Sequence, residues 1–522
     1  MRDFHLPGRS AVFAENGMCA TSHPLAAQEA LRILQAGGSA ADAAIAGAVL
    51  LGVCEPHMTG LGGDAFALVS EPGKDIVAVN GSGRAHAAAD AERLRAEGHA
   101  TMPLSSPHAV TIPGAVDAFC TMSERWGRLG LDRCLAPAID YFEAGVPVAP
   151  RVAFDWAGLT DVLGPDARRH FQPGDGAPAP GARIALPGQA EVLRRIARDG
   201  RAGFYEGEVA ADMLAALAGA GHTPEDFAAA RTDIGAPIAG GYGDATLTEH
   251  PPNGQGATAL LILNILSRFD LSALDPNGAD RVHLEIEAAK LAYDARNRFL
   301  ADPDHVTRLE HMLSPDTAAG LAALIDPAQA LPMPAPASEA VHRDTVYITV
   351  VDRDRMAVSL IYSIFHGFGS GIASPRFGIL FQNRGAGFSL EPGHPNALAP
   401  GKRPMHTIIP ALLDRADGTR MPFGVMGGQY QPCGHARVVT SLVSFGMDLQ
   451  GALDAPRTFF EGDTLMVERG YPETLHAELS ARGHDVGVPH TPIGGAQAIA
   501  IRPDGVLEGA SDPRKDGCAL GY

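Results

Sequence analysis

The run Asp344-Thr345-Val346-Tyr347-Ile348-Thr349-Val350-Val351-Asp352 constrains this chain more than any other stretch. Its β-branched and aromatic residues alternate at period two, the pattern of a half-buried strand. Asp352-Arg353-Asp354-Arg355 then supplies a turn, and Met356-Ala357-Val358-Ser359-Leu360-Ile361-Tyr362 resumes as a second strand. The segment therefore predicts a β-hairpin. Just upstream, Pro327, Pro332, Pro334 and Pro336 fall among alanines within residues 326–344. Such a composition stays extended and exposed, as a linker or a processing site would.

A linker that runs straight into a strand beginning with Thr345 has a chemical consequence. Cleavage between Asp344 and Thr345 would free an α-amine, with a pKa of about 8, beside the Thr345 hydroxyl. That amine can take the hydroxyl proton, which is the pairing of a nucleophile with an adjacent base. A threonine at a strand edge also has a plain packing reading.

Composition narrows the class. The chain has 522 residues, a length that corresponds to about three average domains although large units run longer. Only 19% of residues are charged and the net charge is −19 with histidine neutral, which argues against a nucleic-acid-binding protein. Residues 1–10 hold no apolar run of signal-peptide length, and Ala43 to Cys54 is too short to span a bilayer. Cys19, Cys54, Cys120, Cys134, Cys433 and Cys518 are scattered without metal-ligand spacing. We expect a reduced, cytoplasmic protein that engages neither nucleic acid nor membrane.

Along the chain, Ser22 and Pro24 open a predicted helix that ends at Gly37-Gly38, and Ser39 with Asp42 caps a second one running to Val53. The second is apolar nearly all round and reads as buried. Gly60-Leu61-Gly62-Gly63-Asp64 is not a phosphate loop, because no Gly-Lys-Ser/Thr follows and Ala65 to Val69 reads as a strand. Asp75 to Asn80 reads as a further strand. From Thr111 to Ile325 the pattern is mainly helical, with 135–142, 188–198, 209–218 and 257–267 its clearest pieces. Gln172 to Gly181 reads as a surface loop. His283, His305, Asp302 and Asp304 lack paired metal-ligand spacing, so solvated or capping roles and no metal are expected.

A set of ordered motifs spans nearly the whole chain: Gly17-Met18-Cys19-Ala20-Thr21-Ser22-His23-Pro24, Gly37-Gly38-Ser39-Ala40-Ala41-Asp42, Glu55-Pro56, Thr59-Gly60-Leu61-Gly62-Gly63, Pro113-Gly114, Phe204-Tyr205-Glu206-Gly207, the Thr345 strand, Phe368-Gly369-Ser370-Gly371, Lys402-Arg403-Pro404 and Gly427-Gly428. Through them the sequence resembles the γ-glutamyltransferase superfamily of self-cleaving N-terminal-nucleophile hydrolases. The resemblance implies an α+β fold, a four-layer αββα sandwich. It also implies autocleavage between Asp344 and Thr345 into a large chain, 1–344, and a small chain, 345–522, packed as one heterodimeric unit, with a dimer of such units left open. Thr345 would be the nucleophile, Ser363 the hydroxyl that contacts it, and the Gly427 and Gly428 N–H groups the oxyanion hole. No metal or organic cofactor is implied.

The chain departs from the glutamyl-specific pattern around the substrate. Ser82 stands where that branch carries a carboxylate-binding arginine, with Arg84 two positions on. Phe365 and Gly387 stand where it binds the substrate amine through a polar side chain and an Asp. Arg384, beside Asn383, replaces a neutral amide, and His406 and Thr407 replace a serine pair. Losing the Asp and gaining Arg384 disfavours an ammonium group and favours an anion. Together with Asn80-Gly81-Ser82-Gly83-Arg84, His394-Pro395-Asn396 and the 505–514 segment, these features are similar to the branch that includes oxamate amidohydrolases. We therefore expect hydrolysis of a small carboxylate-bearing amide held by Arg84 or Arg384, with Asn383, His406 and Thr407 lining the site. The alternatives are a γ-glutamyltransferase or glutathione hydrolase, and an uncleaved, catalytically silent binding protein.

Overall fold

The structure, a computed structural model, describes residues 4–5, 8–172, 174, 176–332 and 345–522. Asp344 and the 333–344 part of the linker lie outside the described residues. The expected hairpin forms from Val346–Val351 and Ala357–Ser363, antiparallel, with Val346 opposite Tyr362 and Val351 opposite Ala357. It does not stand alone. Met18–Thr21 pairs with its first strand and Asp64–Ser70 with its second, so the hairpin is the centre of a seven-stranded sheet. The sheet runs Cys518–Gly521, Met18–Thr21, Val346–Val351, Ala357–Ser363, Asp64–Ser70, Val77–Gly81, Asp233–Gly235. A second seven-stranded sheet runs Val12–Ala14, Leu507–Ser511, Gly495–Ile501, Arg420–Met426, Ala411–Arg415, Ala245–Glu249, Ile238–Tyr242.

Alternation along the central strand sorts its side chains between two cores. Val346, Ile348 and Val350 pack with the helices Pro24–Gln35, Ala40–Cys54, Ala115–Trp126 and Leu131–Ala144. Tyr347 points the other way, into a cluster with Phe66, Ile361, Ile408 and Met426 that joins the two sheets. The second sheet turns Leu247, Leu413, Phe423, Val425 and Ala498 toward Gly256–Leu266, Ala279–Phe299 and Gln431–Val443. Helices thus pack against both large sheets, and the Tyr347 cluster joins the sheets to each other. No described helix is long and apolar enough to cross a membrane.

Local expectations hold at several points. All fifteen residues of Ala40–Cys54 are buried, and Ser39 and Asp42 form a reciprocal capping box at its start. The Gly60–Gly63 segment leads into the Asp64–Ser70 strand, as read. The first helix runs Pro24–Gln35 as expected, with His23 its cap and the Ser22 hydroxyl bound to Glu55. One reading is corrected. The mainly helical middle also contains Asp233–Gly235, Ile238–Tyr242 and Ala245–Glu249, which complete the edges of both large sheets. Gly235, Gly240 and Gly241 thin out the strand pattern there, and edge pairing overrides weak local propensity.

The separation of the sheets is set where Tyr347 meets Gly424. A Cβ at residue 424 would lie 2.3 Å from the Tyr347 ring. The ring's hydroxyl bonds to Ser359 Oγ at 2.7 Å, and Ser359 Oγ in turn donates to Phe423 O at 3.2 Å. Gly424→Ala should therefore overpack the inter-sheet core and lower stability by about 1–3 kcal/mol. Denaturant unfolding measures this directly; an unchanged midpoint would show that the ring has room to move.

Candidate active site

The register of the first sheet builds the site. Ser363 pairs with Asp64, and continuing the two flanking ladders by one residue places Thr345 opposite Ser363 and Asp64 opposite Ser82. Four polar side chains therefore stand in one row on adjacent strands, each about 4.8 Å from the next. They share the face of Tyr347, Ile361 and Phe66, so the row lies at the end of the inter-sheet core. Thr345 is buried and its Oγ1 lies 3.3 Å from Ser363 Oγ. Ser363 Oγ also accepts from Phe365 N at 2.9 Å.

From the second sheet comes Gly427-Gly428, directly after Met426, the residue that packs with Tyr347. Gly427 has φ 121° and Gly428 φ 52°, backbone that side-chain-bearing residues rarely adopt. Gly427 O accepts from Tyr430 N at 2.9 Å. Because the peptide is trans, the Gly428 N–H points to the opposite side.

A buried cation forms the third part. Arg384 opens the short Arg384–Gly387 turn, lies 3.8 Å above the Phe365 ring, and donates from Nη1 to Thr407 Oγ1 at 2.9 Å. Phe365 itself has φ 80°, a conformation that stores of order 1–3 kcal/mol of strain and that the Ser363 bond helps to hold.

Asp64 ties these parts together. Its Oδ1 accepts from Gly83 N at 2.9 Å, Gly114 N at 3.2 Å and Gln382 Nε2 at 2.9 Å, and its Oδ2 lies 3.1 Å from His406 Nε2. Burial pushes its carboxyl up to about 6, opposed by the Arg384 charge, the Gln382 amide and the two backbone N–H groups, all of which favour the ionised form. Nothing in the sequence pattern marked this residue. Only its place at the start of a predicted strand, in register with Ser363, offered a signal.

The remaining expected residues fall as follows. His406 and Thr407 join the cluster through Asp64 and Arg384. Asn383 braces the backbone, accepting from His366 N at 3.2 Å and donating to Leu104 O at 3.2 Å. Arg84 lies apart. Its side chain is 43% exposed and pairs with Asp233 at 3.2 Å and Asp302 at 3.5 Å. Ser82 is bound into an amide network, donating to Asn80 Oδ1 at 2.7 Å and accepting from Asn253 Nδ2 at 3.2 Å.

One group of metal-type donors occurs among the described residues, namely His283, Glu287 and His484. His283 is buried, not solvated: Nδ1 lies 2.9 Å from His484 Nε2 and Nε2 lies 2.8 Å from Asp326 O. Lys290 Nζ already stands 2.7 Å from Glu287 Oε1, and Leu331 N donates to Oε2 at 2.7 Å. Glu287 is thus paired with an ammonium group, and the cluster holds Asp326 O and Leu331 N at the start of the linker. Asp302 does cap a turn, accepting from Asp304 N, as expected.

With this geometry in hand, known proteins give its context. The family model described as gamma-glutamyltranspeptidase matches residues 26–522. The oxamate amidohydrolase proenzyme of Klebsiella pneumoniae subsp. pneumoniae is 38% identical, over 98% of this chain and 100% of its own. The glutathione hydrolase-like YwrD proenzyme of Bacillus subtilis is 36% identical, over 98% of this chain and 99% of its own. Among solved structures, cephalosporin acylase from Bacillus halodurans is 39% identical, with a TM-score of 0.92 over 100% of this chain and 99% of that one. Similarity that runs from end to end cannot come from one shared motif, and it identifies the chain as an amidohydrolase-type enzyme of the γ-glutamyltranspeptidase family.

Proposed function

We propose that the chain is a precursor that cleaves itself between Asp344 and Thr345 and then hydrolyses a small carboxylate-bearing amide, oxamate-like, through a Thr345 acyl-enzyme. The packing of two sheets between helical layers supports the four-layer αββα reading. The large and small chains would stay together after the cut, because strands on both sides of the Thr345 hairpin belong to the 1–344 part. An amidohydrolase of oxamate stands among the relatives.

In this mechanism the Thr345 amine takes the proton of Oγ1, and Oγ1 attacks the amide carbonyl. Gly427 and Gly428 N–H groups receive the developing oxyanion, and Ser363 holds the nucleophile's hydroxyl. The amine returns its proton to the leaving nitrogen, and water then releases the acyl group by the same steps in reverse order. The chain supplies nucleophile, base and donors itself.

The observation that carries the anionic substrate is Arg384, a buried guanidinium seated on Phe365 and Thr407 within the same cluster as Asp64 and Ser363. Gly387 leaves no carboxylate at the position that would pair an ammonium group. Arg84, half-exposed and paired with two carboxylates, is the weaker candidate.

Three outcomes test this reading. Intact mass of purified protein should show two chains of 344 and 178 residues (522 − 344 = 178), with Thr345 leading the smaller, and Thr345→Ala should remain one chain. A single persistent wild-type chain would bring the silent-binder alternative forward. Arg384→Met should raise KM for oxamate by about 10–100-fold, as loss of a charged hydrogen bond of about 1.5–3 kcal/mol implies, while Arg84→Met should leave KM within about threefold. Faster turnover of a γ-glutamyl anilide than of oxamate would favour the transferase alternative.

The third outcome is a pH dependence. As pH falls through about 6, Asp64 takes up a proton and its negative charge beside Arg384 disappears. An anionic substrate then meets less repulsion, so KM for oxamate should fall between pH 7 and pH 5, and Asp64→Asn should abolish that step. A step that survives in the variant assigns the titration to another group.

A further inference from the structure

We infer that Gln255 is a positioning residue that fixes the Gly427-Gly428 donors relative to the Arg384–Thr407 seat, an inference that rests on the oxyanion reading of those glycines. Gln255 is buried and stands immediately before the Gly256–Leu266 helix. Its Nε2 carries two hydrogens, and each has an acceptor: Thr407 O at 2.7 Å and Gly428 O at 3.0 Å. Its Oε1 accepts from Arg296 Nη1 at 2.7 Å. Turning the amide over would set an oxygen against two carbonyl oxygens and an NH2 against a guanidinium, so the partners fix its orientation.

The main chain of Gln255 adds to the grip, since its N–H donates to His406 O at 3.0 Å. On the far side, Arg296 Nη1 also donates to Gln429 Oε1, and the Tyr293 hydroxyl donates to Gln429 O. The carbonyls of Gly428 and Gln429 are therefore held by Gln255 and Tyr293 respectively. One carboxamide thus spans two loops that are otherwise separate in the chain, one supplying donors to the reacting carbonyl and the other supplying the hydroxyl partner of Arg384. Removing it takes the amide donor from Thr407 O and leaves Gly428 O to the Gln431 N–H, so the loops keep their tie from Ile409 N to Gln431 Oε1 at 3.0 Å but lose the link beside the two glycines.

The test compares Gln255→Met with Gln450→Met, a buried glutamine remote in its contacts, which donates to Ser511 O and Asp454 Oδ1. Hydrogen exchange is followed by mass spectrometry over 405–409 and 426–431, together with kcat and KM for oxamate and the melting temperature. We expect Gln255→Met to speed exchange in both segments and to lower kcat by about tenfold or more, a part of the 10²–10³ that loss of one oxyanion donor typically removes. Gln450→Met should change the melting temperature without changing kcat. Should Gln255→Met not fold, Arg296→Lys, which loosens the same amide, should show both effects in smaller measure. Unchanged exchange in the two segments, or an unchanged kcat, overturns the inference. Coupled exchange in a protein that leaves oxamate untouched would instead keep the cross-link and remove the substrate reading.

Discussion

The contact of Tyr347 with Gly424 is the constraint on which the site depends. Across most of the inter-sheet core, side chains from both sheets share the space. Here one sheet contributes a full aromatic ring and the other contributes no side chain at all, so the strands approach closely just before the chain turns at Met426. Thr345 lies two residues before Tyr347 and Gly427 three residues after Gly424. The close approach therefore fixes both Thr345 and the Gly427-Gly428 pair, the proposed nucleophile and donors, from one point. The Tyr347 hydroxyl, bound through Ser359 to Phe423 O, prevents the sheets from sliding across it.

A buried guanidinium and a buried carboxylate in the same pocket form a balanced system. Arg384 alone in that environment would be costly, and so would Asp64. Asp64 has several donors, among them two main-chain N–H groups, whereas Arg384 has the Phe365 face and a threonine hydroxyl. The more adaptable partner is the carboxyl, which can give up its charge by taking a proton. In the proposed reading this asymmetry would let the pocket receive a second anion while Arg384 stays charged.

The hairpin, the buried helix behind it and its capping box were legible because each is encoded by neighbours in sequence: alternation over 345–351, small residues over 40–54, and Ser39 with Asp42. The site was legible only in part. Gly427-Gly428 and Thr345 belong to ordered motifs, but Asp64, Gln255 and Arg296 work through partners from 19 to more than 300 residues away, and no local pattern predicts such pairings. Arg84 shows the converse. Adjacency to Ser82 made it a natural anion ligand, yet Asp233 and Asp302, far off in sequence, converge on its guanidinium. The strands over 233–249 were hidden for a third reason, since glycine-rich edge strands are specified by the sheet they join and not by their own residues.

In the proposed reading, preference for an anion over an ammonium group rests on what the pocket lacks as much as on Arg384. Residue 387 closes the same turn that Arg384 begins, and as glycine it brings no carboxylate. Glycine there is also sterically consistent: a Cβ at Gly387 would meet Met405 O at 2.8 Å. The same close approach holds the 384–387 turn against the 405–407 segment, which brings the Thr407 hydroxyl to Arg384. Glycine at 387 and the seating of Arg384 are thus coupled through one backbone approach, so a side chain placed at 387 would require the backbone to move as well.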